Sequence, residues 1–548
     1  MLSCADQLSQ RDISDCSVLR IHGCKSPPSP APYYQLTSVQ TQNEGCASID
    51  QQCVLDWQNA TNPAAFQAPQ RCYQGSIAPY YIDVQRAADV KAAFKFSSDY
   101  GVPLVIKNTG HDFNGRSSKI GSLGLWSHNL KSMSYSSKFK PHGSSGVTYS
   151  AVTIGAGVEG IETYQFADQH GITLPGGACP TVGSAGGYLQ LAVQHTWLAV
   201  DRVLEFEVVT PNGQHLFANA HQNQDLYFAL RGGGGGTFGF VMAATMKALP
   251  KTSYGRVGLQ WELDYPPDVL VVFDLERGPM VQRRLEWTDT SELFLVITCY
   301  VIELVSAYGQ DRTSATNVTV AEATAYMAPM AALAKKLGGT FSIGATKSYL
   351  DFHNTYIVPD TATELDGLPQ TISTRLVPAE TFSTNATALL ASITAMVQAL
   401  PVSFIFANAP YGFKQDPALG PTSVTPAWRS SIWHVVGGAG WAYNTPSSLQ
   451  RGIYANLTGA VDPIRAITPS GGAYQNEADV HEANHEGLSI LISASPPPLI
   501  ASAESFWGRD NYAKLLAIKN KYDPDHLLDC WHCVGWKGVS DSQYRCYV

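Results

Sequence analysis

A histidine set among small polar residues, just where an apolar run ends, is the sharpest chemical feature of this sequence. Residues 105–118 read VIKNTGHDFNGRSS. The apolar run at 103–106 leads into a loop whose backbone N–H groups can cradle a phosphate, and His111 there is either a surface residue or a reactive one. Two more glycine-rich loops follow, LPGGACPTVGSAGG and RGGGGGTFG. Any one of them alone reads as a tight turn; together they point to a long, multiply phosphorylated ligand, because glycine lets backbone approach such a ligand closely. The sequence contains no G-x-x-x-x-G-K-[ST] and no strand, G-x-G-x-x-G, helix unit with a later acidic residue. A P-loop and a Rossmann site are therefore disfavoured, which leaves a different dinucleotide cradle.

The elements that must position these loops are legible around them. YYIDVQ from Tyr80 reads as a strand, and AADVKAAFKFSSDYG as a helix ended by Gly101. PLVIKN, SLGLWSHNL, VTYSAVTIGAG and FVMAATMKAL are further strand candidates, while EGIETYQFADQHG and NQDLYFAL read as helices. In VLEFEVVTPNGQHLFA, Asn212-Gly213 marks a hairpin between β-rich runs. Beyond Pro250 the motifs stop. Helices are expected in AEATAYMAPMAALAKKLG, ATALLASITAMVQAL and NYAKLLAIKNKYDP, and a strand in PVSFIFANAPYG. The layout is α+β. A Cys-rich arm spans 1–75, a cofactor domain 76–250, a substrate domain 251–500 and a C-terminal segment 501–548.

Length and composition bound the partners. At 548 residues the chain exceeds one ordinary core. A formal charge of −9 and the lack of any Lys/Arg tract argue against nucleic acid and favour a small molecule. The longest apolar stretch, LFLVITCYVIELV, contains Glu303 and falls short of the roughly 20 residues of a membrane span, so it reads as core. Of eleven cysteines, Cys4, Cys16, Cys24, Cys46, Cys53 and Cys72 crowd the arm, which points to disulfides and an oxidising compartment. Sequons at Asn59, Asn317, Asn385 and Asn456 point the same way. No basic n-region followed by an apolar h-region is visible at the start, so the expectation of secretion rests on cysteines and sequons.

The segments NTGHDFNGRSS, GGACPTVGSAGGYLQ, VLEFEVVTPNG, DLYFALRGGGGGTFG and FWGRDNYAKLLAIKNKYDPDHLL resemble the vanillyl-alcohol-oxidase superfamily. Within it they are similar to the berberine-bridge-enzyme-like flavoproteins, especially the fungal secreted FAD-linked oxidases. The resemblance implies a PCMH-type FAD-binding domain plus a substrate domain with an antiparallel sheet and covering helices. It also implies that His111 bonds covalently to the 8α methyl of FAD and that Cys179 bonds to flavin C6, as in bicovalent members. Asn108, Thr109, Gly110, Gly115, Arg116, Ser117 and Ser118 would hold the pyrophosphate, and Thr181, Val182, Gly183, Gly186 and Gly187 of the second loop, with Asn476, would also bind the cofactor. A flavin-linked Cys179 leaves ten cysteines, an even number for disulfides.

The run GGAYQNEADVHEANHEG aligns with the family's catalytic-base run. Asn476 is kept, Glu477 stands next and Tyr474 lies nearby, so Glu477 is the candidate base and Tyr474 the second candidate. The bland alternative is a solvated acidic stretch. His481 and His485 lack the H-E-x-x-H arrangement, so no metal is expected. Cys530 and Cys533 in CWHC read as a structural disulfide. One departure is LAVQHTWLAVDRV, where the family usually has a glycine-rich turn containing Gly-Gly-Gly-His-Gly. The implied function is hydride transfer from a small alcohol or secondary metabolite to FAD, with O2 as acceptor, in a monomer. The alternatives are a flavin-assisted oxidative cyclase and a non-catalytic, flavin-free binding protein.

Overall fold

The computed structural model describes residues 21–23 and 76–544 together with a few positions near 59–63. Its longer interruptions are 192–197, 263–281, 288–292, 300–320, 358–368 and 483–504. The six cysteines of the arm, the altered segment after Leu191, His485 and most of the helix expected at 321–338 lie outside the described residues.

Short β-branched and aliphatic runs pair into two sheets in the first half of the chain. In the first, β1 (Ile21–Gly23), β2 (Tyr80–Asp83), β3 (Leu104–Lys107) and β4 (Leu123–Trp126) take the order β1-β2-β4-β3. Strand β4 is parallel to both β2 and β3. Helix α1 (Ala87–Tyr100) covers this sheet, burying Val90, Ala93 and Phe94 at helical spacing against Ile82, Leu104 and Leu125. It stops at Gly101, whose left-handed conformation lets its N–H reach the Ser97 carbonyl at 2.8 Å. Strand β3 ends at Lys107, so the His111 loop leaves from the carboxyl end of a parallel strand.

The second sheet is antiparallel. It orders β5 (Met133–Phe139), β6 (Tyr149–Gly155), β8 (Val203–Val209), β9 (His215–Asn219) and β10 (Phe240–Lys247) as β5-β6-β10-β8-β9, while β7 (Ile172–Thr173) and β11 (Leu249–Pro250) form a separate ribbon. The β8–β9 hairpin closes at Asn212-Gly213, with Val209 opposite His215. Helices α2 (Gly160–Gln169) and α3 (Gln224–Leu230) follow β6 and β9.

The second half contributes a seven-stranded antiparallel sheet: β12 (Tyr254–Glu262), β13 (Gln282–Trp287), β14 (Leu293–Cys299), β15 (Thr340–Thr346), β16 (Gln370–Pro378), β17 (Val402–Ala407) and β18 (Ser431–Gly440). Helices α4 (Ala386–Ala399) and α5 (Ser447–Ile467) cover one face. A Cβ on Gly437 would meet Leu400 at 2.6 Å and approach Leu457 and Val461, which fixes the helix side of β18. Gly437 pairs with Ser373 and Ser403, so these three share the helix side, and Thr374, Phe404 and Val436, one residue along, point to the other. The expected antiparallel sheet with covering helices is therefore present.

The C-terminal helix α6 (Arg509–Tyr522) packs back on the first half of the chain. Lys519 Nζ donates to the Thr237 carbonyl at 2.7 Å, and Trp507 Nε1 to the Gly232 carbonyl at 2.9 Å. Cys530 and Cys533 are disulfide-bonded, as expected, in a buried aromatic cluster with Trp531 and Tyr544. Among the described residues no helix is long and apolar enough to cross a membrane.

Candidate active site

Three segments distant in sequence meet here: the loop after β3, the glycine-rich loop after β7, and a single 3-10 turn at Gln475–Glu477. His111 Nε2 lies 2.8 Å from Thr181 Oγ1, and Cys179 Sγ lies 3.4 Å from the same hydroxyl. The two candidate nucleophiles, 68 positions apart in the chain, thus converge on one side chain. Both are half-buried, and Cys179 is in no disulfide.

The backbone around them is fixed by close approach. Asn108 donates to Ser127 Oγ at 2.8 Å and to the Ala156 carbonyl, and its amide lies close against Gly183 and Gly186 of the second loop. A Cβ on Gly183 would sit 1.5 Å from Asn108 Oδ1, and one on Gly186 2.5 Å from Asn108 Cγ, so neither position accepts a side chain. Thr109 Oγ1 accepts the Gly183 N–H at 3.2 Å. Val182 contributes its carbonyl to the Gly160 N–H at 2.9 Å, and Gly187 lies beside open space. Gly110 and Gly115 both have positive φ, 95° and 69°, where a β-carbon would be strained.

Arg116 is held by Asp112, with Nη2 to Oδ2 at 2.6 Å, and also donates to the Gln475 carbonyl at 3.0 Å. Its cation is thus committed to an ion pair within the His111 loop, and the bond to the Gln475 carbonyl ties that loop to the 475–477 turn. Ser118 Oγ donates to the Gly115 carbonyl at 3.0 Å, and Ser117 is half-buried beside it.

The turn itself carries Glu477. Asn476 Nδ2 donates to the His111 carbonyl at 3.2 Å, and Asn114 Nδ2 reaches the carbonyls of Gln475 and Ala478, each at 3.4 Å. Glu477 is half-buried, and desolvation pushes its carboxyl up from the usual 4.5 to about 7. Asp479 and Glu482 of the same run are buried too, so the described part of it is no solvated acidic stretch. Tyr474 is buried, its N–H bonded to Thr374 Oγ1 at 3.1 Å. Burial, then the nearby Glu477 carboxylate, pushes its phenol well above the ordinary value. His481 packs edge-on against Tyr454, and no group of His, Cys, Asp or Glu fit to hold a metal occurs among the described residues.

Comparison with known proteins gives the family. Residues 78–219 match the family described as FAD binding domain, and 473–530 the one described as berberine and berberine like. The chain is 33% identical over 553 residues to the FAD-linked oxidoreductase ffsJ of Aspergillus flavipes, covering 92% of this chain and 83% of the relative. The chain belongs to the FAD-linked oxidoreductases. It is 33% identical to the VAO-type flavoprotein oxidase VAO615 of Thermothelomyces thermophilus, covering 84% and 76% of the two chains. The crystal structure of the VAO-type flavoprotein MtVAO615 from Myceliophthora thermophila C1 superposes with a TM-score of 0.70 at 29% identity, over 87% of this chain and 83% of that one.

The residues of this FAD-linked oxidoreductase fit the cofactor. Asn108 Oδ1 and both side-chain amide atoms of Gln475 are buried with no hydrogen-bond partner among the described residues, which leaves polar atoms for a ligand to satisfy. Residues 232–236 of the third loop are all glycine, and Gly234 lies against the Gln475 amide. Sequence reading missed Asp112, Asn114 and Gln475. Asp112 had a signal, its i,i+4 spacing from Arg116; the roles of Asn114 and Gln475 arise only from the meeting of loops more than 360 positions apart.

Proposed function

We propose that this FAD-linked oxidoreductase is an oxidase of a small alcohol-bearing or secondary-metabolite substrate, with its FAD attached through His111 and Cys179 and O2 as electron acceptor. The observation that carries the reading is the convergence of His111 and Cys179 on Thr181 Oγ1 at 2.8 and 3.4 Å. It holds an imidazole and a thiol at one point, as two links to one ring system require. Bound FAD would supply the two-electron chemistry, as acceptor of the hydride from the carbon that bears the substrate hydroxyl.

Glu477 accepts the proton of that hydroxyl. A carboxyl with a pKa of about 7 is ionised often enough near neutrality and basic enough to do so. Tyr474 stays protonated and offers a hydrogen bond beside it. Arg116, Asn114 and Asn476 hold the turn against the His111 loop, so the base and the attachment point are fixed together. Passage through the secretory pathway belongs to the same reading. It is supported by the six cysteines of the arm and by the exposure of the sequon asparagines Asn59, Asn385 and Asn456.

Acid precipitation of purified protein tests the attachment. The pellet should stay yellow, because covalent bonds survive unfolding and a cradle of hydrogen bonds does not. His111→Ala and Cys179→Ala should each keep one link, and the double variant none. Wild-type flavin found wholly in the supernatant would refute the covalent reading.

A further inference from the structure

We infer that the substrate presents a planar ring system, held on a strip of aromatic side chains that runs along the face of the seven-stranded sheet turned away from α4 and α5 and ends beside Glu477. The inference rests on the oxidase reading above and adds the chemical class of what that site takes.

The strip follows from strand register. Phe404 and Phe406 lie two apart on β17 and so share the face turned away from α4 and α5, and Phe406 pairs with His434 of β18 on that face. The rings form a continuous row: Phe404 to Phe406, 5.8 Å between centroids at 23°; Phe406 to His434, 5.9 Å; His434 to Tyr474, 6.0 Å and edge-on. Trp428 backs the inner end, edge-on to His434 at 5.4 Å and to Tyr474 at 5.9 Å. Exposure is graded along the row. Phe404 and Phe406 are half-buried, while His434, Trp428 and Tyr474 are buried, and the phenol of Tyr474 feels the charge of Glu477. One end therefore reaches accessible surface and the other reaches the candidate base.

The chemistry of the row selects its occupant. Its described members carry no charged side chain, since desolvation holds His434 neutral, down to about 3. His434 Nε2 is buried without a partner among the described residues, so the row holds polar potential only at its inner end. A sugar would leave hydroxyls unpaired against the ring faces. A flat ring instead gains offset-stacked and edge-to-face contacts at the spacings already present. The connection to Glu477 identifies the occupant as the substrate, because a docked protein segment has no use for a base.

Three primary alcohols serve as probes of the full flavinylated chain: 2-naphthylmethanol, its saturated decahydro counterpart, and glucose. Binding is read anaerobically from perturbation of the flavin absorption in Glu477→Gln protein, and reduction from flavin bleaching in the wild type. The aromatic probe should bind about tenfold more tightly than the saturated one, the scale set by one or two aromatic contacts, and glucose should not bind detectably. In Phe404→Leu/Phe406→Leu protein that retains flavin, the ratio should fall to about one, while bulk hydrophobic binding persists. Equal binding of the two bicyclic probes by wild-type strands, or a preference untouched by the leucine pair, would overturn the inference. If Glu477→Gln bleaches as fast as wild type while the aromatic preference holds, the assignment of the base fails and the strip stands.

Discussion

Glu477 concentrates the chemistry of this chain in one titration. Its carboxyl sits near 7 in the folded protein against 4.5 when free, and desolvation alone drives the shift. As a base it must be ionised, so flavin reduction should rise with pH through about 7 and level off above. Glu477→Gln should slow reduction by about 10²–10⁴-fold and flatten that limb, while flavin content stays unchanged. Stability should move the other way. A carboxyl whose folded pKa lies above its unfolded value favours folding fully below about 4.5 and loses that contribution as pH rises through about 7. Thermal melts should show the wild type losing ground to Glu477→Gln across that window, and parallel curves would rule out the buried-carboxyl account. At this scale the sequence was informative wherever residue type alone carries chemistry. His111, Cys179 and Glu477 stand out by identity, whereas nothing in the sequence marks Thr181 Oγ1 as the point where two of them meet.

The element that carries Glu477 is a turn only three residues long, so its geometry is borrowed from both sides. Its near end is tied to the His111 loop by Arg116 and Asn114. Its far end is tied to α5 by Arg465, which lies 3.1 Å from Asp479 Oδ2 and 3.0 Å from Glu482 Oε2, with Thr458 Oγ1 adding 2.8 Å to Asp479. Asp479 and Glu482 are buried, Ser505 donates to Glu482, Asp462 caps the guanidinium from its own helix, and Arg375 is the other cation facing Glu482. Arg465→Gln leaves two buried carboxylates with one less cation, at a cost of about 3–5 kcal/mol. The deficit should appear as a lowered melting temperature at neutral pH, with Arg465→Lys recovering part of it and reduction rates following the melts. A deficit that Arg465→Lys leaves untouched would point to lost packing instead. This clamp was not legible in the sequence. Helix α5 contains Pro463, a residue that ordinarily ends a helical pattern, yet the helix buries Tyr454, Leu457, Val461 and Ile464 on one face and continues to Ile467. By contrast α1 and the β8–β9 hairpin were readable, because Gly101 and Asn212-Gly213 are stop and turn signals whose effect is local.

Over the whole molecule, the chain visits the cofactor half, builds the seven-stranded sheet, and returns. The return is what lets residues 475–477 meet residues 108–118, and it is anchored by α6. Lys519 is fully buried there, donating at 2.7 Å to the Thr237 carbonyl of the third glycine-rich loop, at 2.6 Å to the Leu528 carbonyl and at 2.6 Å to Asp523. Asp523 is equally buried and also accepts the N–H groups of Leu527 and Leu528. The sequence offered NYAKLLAIKNKYDP as a helix, but an i,i+4 Lys and Asp ordinarily reads as a solvent-facing pair. Only the packing of α6 against the first half makes it an internal anchor. Lys519→Met fills similar space but strands Asp523 and the Thr237 carbonyl, so urea unfolding should show a loss of about 3–5 kcal/mol. Lys519→Met/Asp523→Asn removes the stranded charge and should recover a good part of that loss. Because the Thr237 carbonyl stays unsatisfied in both, each should also release any non-covalently held FAD more readily when built on His111→Ala/Cys179→Ala. A single variant with wild-type stability would show that the return is held by apolar contacts around Trp507 and Leu515 alone.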